Sequence, residues 1–175
     1  MSTLIRPSVE ADIPAIAEIY SHAVLHGTAS FETDPPDLAE MARRRSAITA
    51  AGFPYLVAER AGHVVGYAYV SAYRPRLAYR FSVENSIYVA PNLARGGVGR
   101  ALLEALLARC EADGYRLMVA VIGDSANAAS IGLHRSLGFE DAGVLRNVGW
   151  KHGRWLDSVF MTRPLGTGAA TAPTS

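Results

Sequence analysis

Cysteine is nearly missing from this 175-residue chain: Cys110 stands alone. A single thiol cannot close a disulfide or build a cysteine metal site within the chain, and the expectation is a protein of a reducing cytoplasm. An excess of either charge is missing too. Seventeen Lys and Arg face sixteen Asp and Glu, a formal net charge of +1. No global field therefore recruits nucleic acid or a membrane surface. No apolar run reaches the roughly 20 residues that cross a bilayer, and the start "MSTLIRPSVEAD" has no signal-peptide core. His22, His26, His63 and His152 show no metal-ligand spacing, and no metal is expected. What the chain does have is 50% hydrophobic and 19% charged residues, a globular balance. One domain over residues 1–165 is expected, followed by a small polar tail, 166–175, read as disordered.

The hydrophobic patterning alternates strands and helices. "TLIRPS" reads as a first strand. Ile13, Ile16, Ala17, Tyr20 and Val24 recur at helical spacing, with Asp12 as the expected N-cap and Pro14 in the first turn. The loop "HGTASFETDPPD" leads to a second helix, about Leu38 to Ala50, whose "RRR" reads as a solvated face. "YLVAE" and "VVGYAYVSAY" form a hairpin around Ala61-Gly62. In "FSVENSIYVA" the alternation puts Phe81, Val83, Ile87 and Val89 on one face and Ser82, Glu84 and Ser86 on the other. A helix follows from about Gly97 to Asp113. "RLMVAVI" is apolar enough to be a strand buried on both faces. A short helix, about Ala126 to Leu137, stops at Gly138. Two last strands turn at His152-Gly153. The fold class is mixed α/β, a central twisted sheet of six to seven strands flanked by about four helices.

"RGGVGR" stands between a strand and a helix. A helix N-terminus offers unpaired N–H groups and a partial positive charge, and glycines let an anion approach them. Arg95, Gly96, Gly97, Val98, Gly99 and Arg100 thus read as a pyrophosphate cradle, against the plainer reading of an ordinary loop entering a helix. A P-loop is excluded, because Arg100-Ala101 stands where Lys-Ser/Thr is needed. A dinucleotide fingerprint fails as well: Leu102 holds the third glycine's place, and "RLMVAVI" lacks the acid.

Over nearly its whole length the chain resembles the GNAT superfamily of N-acetyltransferases. "IYVAPNLARGGVGRALLEALL" resembles that family's strand–loop–helix core, and "NAASIGLHRSLGF" its next helix. Ala94 departs from the usual motif, which has Gln or Arg there; Arg95 is beside it. "SFETDPP", "RPRLAYRFSVENSIYV" and "VGWKHGRWLDSVFM" narrow the resemblance to the phosphinothricin and methionine sulfoximine N-acetyltransferases.

A carboxylate on the strand can take the proton that an amine must lose. Glu84 is that candidate; a solvated strand glutamate is the plainer reading, and the resemblance favours the base. The resemblance further implies acetyl-CoA as cosubstrate. It assigns Ile87, Tyr88 and Val89 to the pantetheine arm and the backbone oxyanion donor. His134 takes the place of a tyrosine that helps the thiolate leave, either as acid or as a CoA contact. Asn127 either caps its helix or bonds the pantetheine. Arg74 and Arg76 suit planar or tetrahedral oxyanions. The resemblance sets them beside the acceptor with Tyr79, and Phe31 as an apolar wall. Cys110 lies on an apolar stripe and is expected to be inert core. Trp150, Lys151 and Trp155 are expected to shape the last strands and a homodimer contact. The reading is direct transfer of acetyl to the α-amino group of a small amino-acid analogue. Its rivals are acetylation of another amine, such as a protein N-terminus or polyamine, and a non-catalytic CoA-binding module.

Overall fold

The computed structural model describes residues 2–93 and 96–173. Ala94 and Arg95 of the glycine loop lie outside the described residues. The chain forms β1 (Leu4–Pro7), α1 (Ile13–His26), α2 (Leu38–Ala50), β2 (Tyr55–Arg60), β3 (His63–Ala72), β4 (Ser82–Val89), α3 (Val98–Ala112), β5 (Leu117–Gly123), α4 (Ala128–Ser136), β6 (Glu140–Lys151) and β7 (Arg154–Pro164). The strands make one mixed sheet in the order β1-β2-β3-β4-β5-β7-β6. β4 and β5 pair in parallel, while β1–β2, β2–β3, β5–β7 and β6–β7 are antiparallel. This is the mixed α/β architecture expected from the patterning. The chain groups into two compact units, Met1–Gly27, Glu32–Val70 and Ser86–Leu106 in one and Thr28–Phe31, Ser71–Asn85 and Leu107–Ser175 in the other.

In the first unit, α1 buries Ile13, Ile16, Ala17, Ile19, Tyr20 and Val24, the stripe that its 3.6-residue spacing demands. They join Val57, Tyr55 and Tyr67 in one core cluster. Each fully buried aliphatic side chain stabilises this core by about 1.5–3 kcal/mol. Asp12 stands at the head of α1 but makes no side-chain cap. Its carboxylate instead accepts from Arg6 Nη1 at 2.8 Å, Arg6 Nη2 at 2.9 Å and the Val9 N–H at 2.8 Å. α2 is capped by Asp37, which accepts from the Glu40 N–H at 2.8 Å. The arginine run on α2 is only partly a solvated face. Arg43 is exposed beside Glu40, but Arg44 bridges Glu40 and Glu32, and Arg45 donates to the side chain and carbonyl of Ser8. Ala61 and Gly62, both at positive φ (49° and 79°), make the β2–β3 turn.

In the second unit, β5 buries Met118, Val119, Ala120 and Ile122 between parallel β4 and antiparallel β7. That position explains why its sequence does not alternate. α4 ends at Gly138, whose φ of +82° closes the helix. β6 and β7 turn at His152-Gly153, again with both residues at positive φ. Cys110 is fully buried, and burial pushes its thiol up to about 12, so it is an inert core residue. Arg116 donates to Thr171 Oγ1 and the Ala172 carbonyl.

Candidate functional site

The glycine loop belongs to the first unit. Gly97 has a φ of +78°, and a Cβ added there would meet nothing within 4 Å. Beside Gly97 the described residues leave space, and only the backbone conformation demands glycine there. Gly96 differs: its added Cβ would stand 3.0 Å from the Leu93 carbonyl oxygen and 3.2 Å from Arg60 Nη1. Arg60 ties the loop down, donating from Nη2 to the Gly96 carbonyl and from Nε to Thr3 Oγ1 at 2.7 Å. Gly66 lets the helix mouth sit close, since its added Cβ would be 3.0 Å from Val98 Cγ1 and 3.2 Å from Leu102 Cδ1. The first turn of α3 has no acidic residue, so nothing repels an anion there. Arg100 pairs along α3 with Glu104 at 2.9 Å. An open glycine cradle at an acid-free helix mouth fits a phosphate-bearing cosubstrate.

Ile87, Tyr88 and Val89 continue β4 beyond the stretch that pairs with β5. The β4–β5 register covers Ser82–Asn85 against Leu117–Ala120, yet β4 runs on to Val89 and β5 to Gly123. The Tyr88 ring stacks on Tyr67 at 5.2 Å and meets the Tyr20 edge at 5.0 Å. Burial holds its phenol neutral, far above the ordinary range. A pocket beside Tyr20, Tyr55, Tyr67 and Tyr69 holds about 20 Å³, room for roughly one water.

The second unit holds Glu84, His134, Asn127, Phe31, Arg74, Arg76 and Tyr79. Glu84 is half-buried on β4. Burial pushes its carboxyl above the ordinary carboxylate range, and Arg74 pulls it partly back. Arg74 lies over the Tyr73 ring at 5.2 Å, and Tyr73 meets the Tyr79 edge at 5.7 Å. Arg76 heads the short 3-10 turn Leu77–Tyr79, where its carbonyl accepts from the Tyr79 N–H. Arg74 is the arginine whose charge opposes the effect of burial on Glu84.

Phe31 is half exposed, and its ring lies across two glycines. An added Cβ would come within 2.5 Å of the ring at Gly149 and 2.9 Å at Gly123. At Gly123 it would also overlap the Thr28 carbonyl oxygen. Buried Lys151 donates to the Ser30 carbonyl at 2.6 Å. Gly123, Gly149 and Lys151 thus seat the Phe31 loop, and none was singled out for that role from the sequence. Two glycines near strand ends were the available signal. Asn127 caps α4, its side-chain oxygen accepting from the Ser130 N–H at 3.2 Å. His134 is buried, with Nδ1 2.8 Å from the Ser130 carbonyl oxygen and Nε2 3.1 Å from Asn85 Oδ1. Asn85 is a further residue the sequence reading passed over. It is a polar residue in register with Val83 on the buried face.

The model of the Acetyltransferase (GNAT) family matches residues 16–139. The chain belongs to the GNAT acetyltransferase family. A phosphinothricin N-acetyltransferase of Alcaligenes faecalis is 56% identical over 162 residues, 93% of this chain and 82% of that protein. An L-methionine sulfoximine/L-methionine sulfone acetyltransferase of Pseudomonas paraeruginosa is 47% identical, over 92% of this chain and 94% of that one. A solved GNAT phosphinothricin acetyltransferase of Sinorhizobium meliloti, in complex with AcCoA, superposes with a TM-score of 0.97 at 53% identity. It covers 100% of this chain and 95% of its own. The family resemblance read from the motifs holds over nearly the whole chain, and the protein is an N-acetyltransferase. No helix among the described residues of this acetyltransferase is long and apolar enough to cross a membrane.

Proposed function

We propose that this acetyltransferase moves the acetyl group of acetyl-CoA onto the α-amino group of a small amino-acid analogue of the phosphinothricin and methionine sulfoximine kind. The observation that carries this reading is Glu84. It is a half-buried strand carboxylate whose proton affinity burial raises and the charge of Arg74 lowers in part. Such a group takes the amine's proton nearer neutral pH than an exposed glutamate could.

Acetyl-CoA supplies the activated acetyl thioester. Gly97, Val98 and Gly99 hold its pyrophosphate with backbone N–H groups, Gly96 shapes the loop with its own N–H on the Leu93 carbonyl, and Arg95 and Arg100 add charge. The backbone of Ile87, Tyr88 and Val89 aligns the pantetheine arm and meets the developing oxyanion. Asn127 turns its side-chain NH₂ toward the same arm while its oxygen caps α4. His134 gives a proton toward the leaving sulfur. Arg74, Arg76 and Tyr79 receive the acceptor's oxygen-bearing tetrahedral end, and Phe31 walls its aliphatic stem. Transfer is direct, in a ternary complex, and residues 1–165 act as one catalytic domain in the cytoplasm. Exposed Val144, Leu145, Val148 and Trp150 on β6 and Trp155 on β7 support a homodimer.

The experiment is thiol release from acetyl-CoA against a panel holding both analogues, ordinary amino acids, a polyamine and an N-terminal peptide. The two analogues should give the highest kcat/KM. Turnover of the polyamine or peptide alone would move the assignment to another amine. Binding of CoA without any thiol release would make the chain a binding module.

A further inference from the structure

β4 carries one side chain that its own alternation does not account for. Phe81, Val83, Ile87 and Val89 are apolar, and at residue 85 the same face holds an asparagine. Asn85 is 7% exposed, so its amide is cut off from water and must find its partners inside the protein. It finds two. Nδ2 donates to the Val119 carbonyl oxygen at 3.3 Å, and Oδ1 lies 3.1 Å from His134 Nε2.

The orientation of this amide follows from chemistry. A backbone carbonyl only accepts, so Nδ2 must face Val119 and Oδ1 must face the ring. At the other edge of the ring, Nδ1 lies 2.8 Å from the Ser130 carbonyl oxygen, which again only accepts. His134 is therefore framed by two acceptors. A neutral imidazole has one N–H and satisfies one of them; the imidazolium has two and satisfies both. Burial works the other way and draws the ring toward its neutral form. The Phe139 ring stands edge-on to the imidazole at 4.9 Å. Glu84, next along β4, has its side chain on the opposite strand face.

We infer that Asn85 is a positioning residue of the acetyl transfer: its side-chain oxygen gives the buried His134 ring a second acceptor and so decides whether Nε2 carries a proton. When that proton passes to the leaving thiolate, the Nε2–H bond breaks with its electron pair staying on the ring, and an S–H bond forms with a sulfur lone pair. Oδ1 then faces a lone pair. The amide turns so that Nδ2 donates to bare Nε2, at the cost of its bond to Val119. Proton loss at His134 and rotation of Asn85 are one event. The inference rests on the proposed role of His134 as the group that gives a proton toward the leaving sulfur.

The test counts protons on the ring. ¹⁵N-labelled full chain is titrated, the His134 ring nitrogens being identified by comparison with His134→Gln. In the acid form both nitrogens should carry protons, and the Asn85 NH₂ resonances should move with the midpoint of the ring. Asn85→Leu removes the second acceptor. At a fixed pH the ratio of charged to neutral His134 should fall by about ten- to a hundredfold, the worth of one hydrogen bond to a charged group. Asn85→Asp should restore or raise it. An unchanged midpoint in Asn85→Leu, or Asn85 resonances in the wild type that ignore the titration of His134, would overturn the inference. The wild-type measurement needs no variant to fold. The pH profile of kcat separates the two ideas. If the ring midpoint moves in the variants while the kcat profile stays in place, Asn85 controls the ring and the proton-donor role of His134 is lost.

Discussion

In the first unit the buried side chains with polar atoms are mainly tyrosines, whereas in the second they are groups that can carry or direct a proton. Tyr20, Tyr55 and Tyr67 are buried in the first, and Tyr55, Tyr67 and Tyr69 stack within 5.0 to 6.4 Å of one another. Tyrosine adds a large apolar area and one hydroxyl, and burial keeps Tyr55 and Tyr67 neutral. In the second unit Ser30, Asn85, Asp124, His134, Lys151 and Ser158 are buried, against Ser8 and Asp12 in the first. Buried polar groups are expensive unless paired, and proteins concentrate such costs where chemistry needs them. The tyrosine-lined core of the first unit should therefore fail by unfolding, and the buried polar groups of the second by losing the reaction.

Paired substitutions can break that contrast. Glu84→Gln in the second unit should lower turnover by roughly 10²–10⁴-fold, the usual worth of a general base. Its thermal unfolding should stay near wild type, because the amide keeps the shape of the side chain. Ile16→Ala in the first unit deletes a fully buried side chain. It should cost about 2–5 kcal/mol by denaturant unfolding. The folded fraction should keep its kcat. An active Glu84→Gln enzyme would move the base elsewhere, and a large loss of kcat in folded Ile16→Ala would dissolve the contrast.

The glycine loop was legible because its spacing imposes a backbone conformation, which Gly97 then adopts. The hairpin turns and the helix stop at Gly138 were legible for the same local reason. Burial of β5 was visible in its unbroken apolar run. Arg60 on Gly96 and Lys151 on Ser30 were not visible, because those partners are far apart in sequence and no local pattern links them. Arg45 was misread and the side-chain partners of Asp12 were missed, although Asp12 does occupy the N-cap position, because a solvated face and a cap are judged from immediate neighbours, whereas Ser8 and Arg6 lie on or beside β1. Asn85 escaped because alternation was counted in apolar residues only.

A third test sharpens the electrostatics of the second unit. Arg74 lowers the proton affinity of Glu84, while burial raises it. Removing the guanidinium in Arg74→Ala leaves burial unopposed, so the carboxylate is harder to form. The acid limb of the kcat/KM profile should move to higher pH. Loss of a charge-assisted bond to the acceptor should also lower kcat/KM by about ten- to a hundredfold. Acetyl-CoA binding by calorimetry should hardly change. Arg76→Ala, whose charge has no described effect on Glu84, should leave the acid limb in place. If both variants shift that limb equally, the assignment of Arg74 as its partner is wrong.

The smallest effect belongs to the first unit, at the entrance to α1. Arg6 holds the Asp12 carboxyl below the ordinary carboxylate range through its two hydrogen bonds, and the Val9 N–H adds a third. The folded state thus keeps this charge at a pH, about 4, where the same carboxyl in the unfolded chain has begun to take a proton. The stabilisation is complete above the unfolded value and shrinks as pH falls toward the folded one. It does not change on the alkaline side. Asp12→Asn removes the charge and keeps the size. The gap in unfolding free energy between wild type and variant should be widest at neutral pH and close progressively in acid. Arg6 also reaches Glu59 at 2.9 Å, so it keeps one partner in the variant, which limits the loss. Denaturant melts of both proteins across the acid range decide the matter. A gap that stays constant with pH would mean that Asp12 contributes through its neutral hydrogen bonds alone, and that the charge of Arg6 does nothing for the start of α1.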